Sequence, residues 1–183
     1  MALSGYGTML IAALLCVIVA FSVTAFSFPM WAINLILFIF LIPLYVSLIY
    51  SPIWTEGDRN RNMVQFGHIE RDKFKGLKIG LLLTIPYLLL NLMLTLSTCG
   101  VLPDLFWLYK ILNAHLWPLL NILNPIREGM SAATMSVPAL IVCWLTSLYP
   151  TVISVVAYAL GYKGIMVVEK LIYKNKPHKR RRY

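Results

Sequence analysis

Few side chains in this 183-residue sequence are equipped for chemistry, and the closest group of them is His68, Glu70 and Asp72. On a helix His68 and Asp72 would share a face, and such a set could hold a metal or exchange protons as acid and base. A catalytic zinc takes three protein ligands, commonly with more than one His or Cys. Here Arg71 and Lys73 interleave with the acids, so the stretch reads as a solvated, self-neutralising loop face. The three cysteines, Cys16, Cys99 and Cys143, are scattered, form no C-x-x-C pair and read as small apolar residues. Phosphate-loop, nucleophile-elbow, zinc-protease, EF-hand and lipidation patterns are absent. No catalytic residue, metal or cofactor is therefore expected.

A second group of polar residues falls inside long apolar runs. Asn34 and Asn91 are both predicted in the outer half of a membrane, facing the bundle interior, with a mutual hydrogen bond as the candidate pairing. Structural glue worth about 1 kcal/mol is the default role for such groups, and a substrate contact is the sharper one. Pro43, Pro86 and Pro150 each fall within a predicted helix, where a missing N–H should kink it. Gly76 and Gly80 form a G-x-x-x-G that would let another helix approach. The third group is a basic run, Lys174, Lys176, Lys179, Arg180, Arg181 and Arg182. Tethered beside a membrane helix, it should meet anionic lipid, at about 1 kcal/mol per charge, before any nucleic acid. The blander reading is that it only fixes topology.

The elements that position these residues follow from composition. Apolar residues make up 60% and charged residues 13% of the chain, too few charges to cover the surface of a soluble domain. The first charged side chain is Glu56, and the preceding 55 residues are long enough to cross a hydrocarbon core twice. The uncharged runs 79–103 and 129–162 can each cross once, whereas 111–126 is too short. The expected fold is an all-α, polytopic transmembrane bundle, one membrane domain over 1–183. Its four spans are placed at about 9–28, 30–50, 77–97 and 137–160, with Trp31 and Tyr50 at the interfaces of the second. Pro29 supplies a tight turn after Phe28. Residues 1–8 carry no Lys or Arg, which argues against reading the first span as a signal peptide. A polar loop is predicted over 51–76 and a basic tail over 163–183.

Charge sets the expected orientation. Six Lys or Arg lie between Arg59 and Lys78, and eight from Lys163 onward, against two, Lys110 and Arg127, between the third and fourth spans. The positive-inside rule then places both termini and the 51–76 loop in the cytoplasm, in the cell (plasma) membrane. A fifth span would separate the basic segments. Residues 104–123 carry Lys110, Asn113, His115, Pro118 and Asn121, all costly in lipid. On a wheel, Leu105, Leu108, Leu112, Leu116, Leu119 and Leu120 group with Tyr109, opposite Lys110, Asn121, Trp107 and Trp117. That pattern predicts an outer interfacial or re-entrant helix, with leucines toward the acyl chains and polar groups among the headgroups.

No ionisable residue lies deep in a predicted span, although proton- and ion-coupled transporters usually keep some there. The first functional expectation is accordingly a non-catalytic subunit or accessory component, packed on another membrane protein through its spans. The alternative is a small transporter or channel for a small solute, working as a homo-oligomer because four spans leave little room for a pore. A membrane enzyme is the remotest, since it would have to use His68, Glu70, Asp72 or His115.

Overall fold

The computed structural model describes residues 2–123 and 131–165, with side chains from Gly5 onward. The chain is an all-α bundle. Four helical stretches are long and apolar enough to cross a membrane: Gly5–Thr24, Met30–Gln65, Lys75–Thr98 and Val137–Tyr162. In order, α1 is Ala2–Thr24, α2 Met30–Gln65, α3 Lys75–Thr98, α4 Phe106–Leu112, α5 Trp117–Leu123, α6 Val137–Thr146 and α7 Tyr149–Tyr162. Short 3₁₀ turns occupy Ala114–Leu116 and Ala132–Thr134.

Small residues let α1 lie close on α2. Ala12, Ala13, Cys16 and Ala20 form its buried face, against Ile33, Leu37, Leu41, Tyr45, Ile49 and Ile53 of α2. The opposite face exposes Leu10, Ile11, Leu14, Ile18 and Phe21, large apolar chains that a bilayer would cover. In a bilayer such contact rests on close van der Waals packing, which small side chains permit. The first span begins several residues earlier than the sequence places it. The turn at 25–29 does fall at Pro29, which caps α2 in extended geometry.

The predicted loop from 51 to 76 is overturned over most of its length. Helix α2 runs unbroken to Gln65, 36 residues or about 54 Å, so its last turns outlast a 30 Å hydrocarbon core. The buried stripe of α2 continues through Ile49, Ile53, Glu56, Gly57 and Asn60. The buried Glu56 and Asn60 mark a helix packed on a neighbour, not a loop. The chain turns only after Gln65, where Gly67 adopts φ +72° and the His68 N–H donates to the Met63 carbonyl.

The three prolines occupy two kinds of position. Pro43 and Pro86 sit within the continuous helices α2 and α3. The fourth span is broken at Ser147–Leu148, and Pro150 stands in the first turn of α7, where a missing N–H is no loss. Helix α7 packs on both α2 and α3. Glycines make this possible: a Cβ on Gly57 would come 2.5 Å from the Tyr158 carbonyl oxygen, and one on Gly80 2.8 Å from Thr151 Cα. A Cβ on Gly161 would overlap the Trp54 carbonyl. The G-x-x-x-G of Gly76 and Gly80 thus serves contact within the chain.

One end of the bundle gathers the start of α1, the ends of α2 and α7 and the start of α3. There the Tyr6 hydroxyl donates to the Leu82 carbonyl (2.8 Å) and the Trp54 indole N–H to the Ile165 carbonyl (2.9 Å). Arg59, Arg61, Arg71, Lys73, Lys75, Lys78 and Lys163 all belong to this charged end. The other end carries the 25–29 turn and the connection from α3 to α4.

Candidate functional site

Helices α4 and α5 form a hairpin that re-enters the bundle from the end away from the basic residues. Asn113 ends α4 in a non-helical conformation, and Pro118 opens α5 within its first turn. The break lets Lys110 and Asn121 face each other, with the Lys110 ammonium donating to Asn121 Oδ1 at 2.7 Å. Lys110 also lies over the Trp117 ring, 4.8 Å from its centroid. Asn121 in turn donates to Asn34 Oδ1 of α2 at 2.8 Å. The wheel over 104–123 is therefore corrected: Lys110, Asn113, His115, Trp117 and Asn121 are buried in protein, because the segment is two short helices and not one.

The expected Asn34–Asn91 pair is not formed. Asn91 Nδ2 donates to the Cys143 carbonyl of α6 (3.0 Å), and its Oδ1 accepts from the Tyr109 hydroxyl of α4 (2.8 Å). Both asparagines do face the interior, yet each anchors a different leg of the hairpin. At the hairpin's mouth, Asp104 accepts from the Phe106 N–H (3.0 Å) and the Ala132 N–H (3.1 Å). Desolvation opposes its charge, but hydrogen bonds from Ser131, Phe106 and Ala132 outweigh that and hold the carboxyl below the usual range.

The tip of the hairpin is His115, 2% exposed. Its ring stacks on Tyr45 of α2 at 3.8 Å and 10°, meets Tyr87 of α3 edge-on at 5.9 Å and faces Tyr149 of α7 at 6.2 Å. The Tyr45 and Tyr87 hydroxyls are hydrogen-bonded to one another. His115 Nδ1 has no hydrogen-bond partner; among the described residues only the Tyr50 hydroxyl shares that condition. A buried polar atom left unpaired costs about 1–3 kcal/mol, so it calls for a reason.

Below this cluster the polar groups continue. The Thr84 and Thr151 hydroxyls meet at 2.7 Å. Nearer the charged end, Asn60 donates to the Tyr158 hydroxyl (3.2 Å) and Glu56 (3.3 Å), while Lys75 donates to Glu56 (3.1 Å) and Asn60 Oδ1 (2.9 Å). Glu56 is 8% exposed and Lys75 is at the rim. Polar groups thus recur along the inner face of α2 as a column of Asn34, Tyr45 and Glu56, each 11 residues or three turns from the last, with Leu37, Leu41, Ile49 and Ile53 between them.

The other predicted groups do not join it. Asp72 accepts from the Phe74 N–H (2.9 Å) and Lys78 (2.8 Å), and these bonds, Lys78 first, hold its carboxyl below the usual range. His68 lies beside Phe66. Cys16 and Cys143 are buried as free thiols, while Cys99 is exposed. Lys174, Lys176, Lys179, Arg180, Arg181 and Arg182 lie outside the described residues. His115 enters the sequence reading only as a remote enzyme candidate, and Tyr45, Tyr87, Tyr149, Glu56, Asn60 and Lys75 not at all as a site; the 11-residue spacing along α2 is a signal for Tyr45 and Glu56 alone. Compared with protein-family models, with curated proteins and with solved structures, the chain matches none.

Proposed function

We propose that this membrane protein is a small transporter or channel that moves protons, alone or with a small solute, along its polar column. The observation that carries the reading is His115, held inside the bundle with Nδ1 unpaired amid three tyrosines. The spans themselves hold no ionisable group at depth, and the re-entrant hairpin supplies one from outside them. Intramembrane ionisable groups mark pathways by default, and imidazole can take a proton on one nitrogen while releasing another. The Tyr45–Tyr87 pair and the Thr84–Thr151 pair extend the donors and acceptors toward Glu56 and Lys75. Broken helices at membrane depth are tolerated where protein surrounds them, and transporters use them for binding. Because the column lies within one copy, the path needs no subunit interface.

The concentration of Lys and Arg at the charged end supports a cytoplasmic location for it, with both termini, in the plasma membrane. The test is reconstitution of the full chain in vesicles loaded with a pH-sensitive dye, under an imposed potential. His115→Phe keeps a ring for the stack and removes both nitrogens. It should fold normally and lower proton flux at least tenfold, in line with a positioned proton carrier. Flux no greater than in empty vesicles, or flux unchanged in His115→Phe, would remove the proposal.

The glycine-tight contact of α7 with α2 and α3 favours a second reading, a rigid accessory component that docks on another membrane protein. That reading expects a second polypeptide to co-purify in mild detergent, and particles containing this chain alone would count against it.

A further inference from the structure

We infer that the groove between the start of α3 and the end of α7 binds the headgroup and upper acyl chain of an anionic phospholipid. The groove has a volume of about 460 Å³ and is lined at its upper rim by Arg71, Lys73 and Lys163. Leu77, Val155 and Ala159 form its deeper wall. All three cations are exposed, and none forms an ion pair among the described residues. The one acid in the lining, Asp72, is already committed to Lys78 and the Phe74 N–H, so it does not neutralise the rim. Arg71 is held at the edge by the Tyr162 ring, 4.8 Å from its centroid. The groove combines cations and an apolar wall with Tyr158 and Tyr162, aromatics of the amphipathic kind enriched at membrane interfaces. That order of charge, aromatic and aliphatic groups matches a phospholipid with a negative headgroup better than it matches a soluble anion, which would leave the apolar wall unused. The groove meets the proposed proton path only at Tyr158, whose hydroxyl accepts from Asn60, and none of its lining residues belongs to the basic run at 174–182.

The experiment is native mass spectrometry of the full chain taken from mixed vesicles of phosphatidylglycerol and phosphatidylcholine. Near anionic lipid each cation contributes about fivefold, so Arg71→Gln/Lys73→Gln/Lys163→Gln should weaken retention of phosphatidylglycerol by on the order of a hundredfold. Ala159→Trp, which fills the apolar wall and leaves every charge in place, should also displace the lipid. Neutralising Lys174, Lys176, Lys179, Arg180, Arg181 and Arg182 together should leave one phosphatidylglycerol bound. The inference is overturned if the groove triple variant retains that lipid as the parent does. Equal retention of phosphatidylcholine, loss only with the tail variant, or displacement by inorganic phosphate would overturn it as well.

Discussion

Replacing single glycines with alanine tests the packing of α7 on α2 and α3, and the structure orders the outcomes. Alanine gains about 1 kcal/mol over glycine in a helix interior wherever the added methyl meets nothing. Gly7 of α1 is such a site, with no atom within 4 Å of a Cβ, so Gly7→Ala should stabilise by about that amount. At Gly76 and Gly80 the methyl would lie 2.8 Å from Tyr158 Cβ and Thr151 Cα, and neither atom can rotate aside. Overpacking costs about 1–3 kcal/mol, which offsets the propensity gain and leaves both variants about 1 kcal/mol less stable. Gly57→Ala and Gly161→Ala press still more closely on backbone, at the Tyr158 and Trp54 carbonyls. There one whole helix must retreat from the other, and contacts along the seam weaken with it. Net of the propensity gain, the loss should reach about 2 kcal/mol, from the upper part of the overpacking range. Unfolding of the purified protein in mixed micelles, followed by tryptophan fluorescence, gives the five values on one scale. If Gly161→Ala is tolerated as well as Gly7→Ala, the α2–α7 contact described above is wrong.

Three further outcomes follow from other contacts. Lys75→Met leaves Glu56 buried without its cation and should cost about 2 kcal/mol, below the fully buried case because Lys75 is 33% exposed; adding Glu56→Gln should recover much of that in the same unfolding assay, and simple additivity would dismiss the pairing. A double-mutant cycle of Asn34→Ala with Asn121→Ala should show a coupling of about 0.6 kcal/mol, whereas Asn34→Ala with Asn91→Ala should show almost none. Cys99, exposed at the end opposite the basic residues, should react from outside intact cells with a membrane-impermeant maleimide; reaction only after the cells are opened would reverse the proposed orientation.

The number of spans was readable because it depends on quantities the sequence states outright: the lengths of uncharged runs and the thickness of hydrocarbon. Helix boundaries were less so. Glu56, Asp58, Arg59 and Arg61 look like a loop to any reading that equates charge with solvent, yet Glu56 continues the buried stripe of Ile49 and Ile53. A helix longer than the bilayer buries its polar end against another helix, and hydropathy does not report that. For 104–123 the re-entrant alternative agrees with the hairpin, but the placement of its polar groups among headgroups fails for a related reason. A helical wheel assumes one axis, and Asn113 with Pro118 supplies two, so residues placed on a common polar face were assigned to headgroups when they face each other. Asn34 and Asn91 were correctly read as inward-facing, but their partners come from this segment and could not be named before its course was known.

Those partners also separate structural polarity from polarity that needs another explanation. Lys110, Asn113, Tyr109, Asn91, Asn121 and Asn34 each have a bond that ties the hairpin together or to the surrounding helices. Their burial follows once the hairpin enters the bundle, because groups carried away from water must be paired. His115 does not fit that account. Stacking on Tyr45 would be served as well by phenylalanine, which brings no unpaired nitrogen and no desolvation penalty. A histidine at the hairpin tip therefore lowers stability relative to the apolar ring of similar shape. That stability deficit gives His115→Phe its force: a protein that is more stable but no longer moves protons would locate the function at the imidazole, and a protein more stable with transport intact would leave His115 as packing alone.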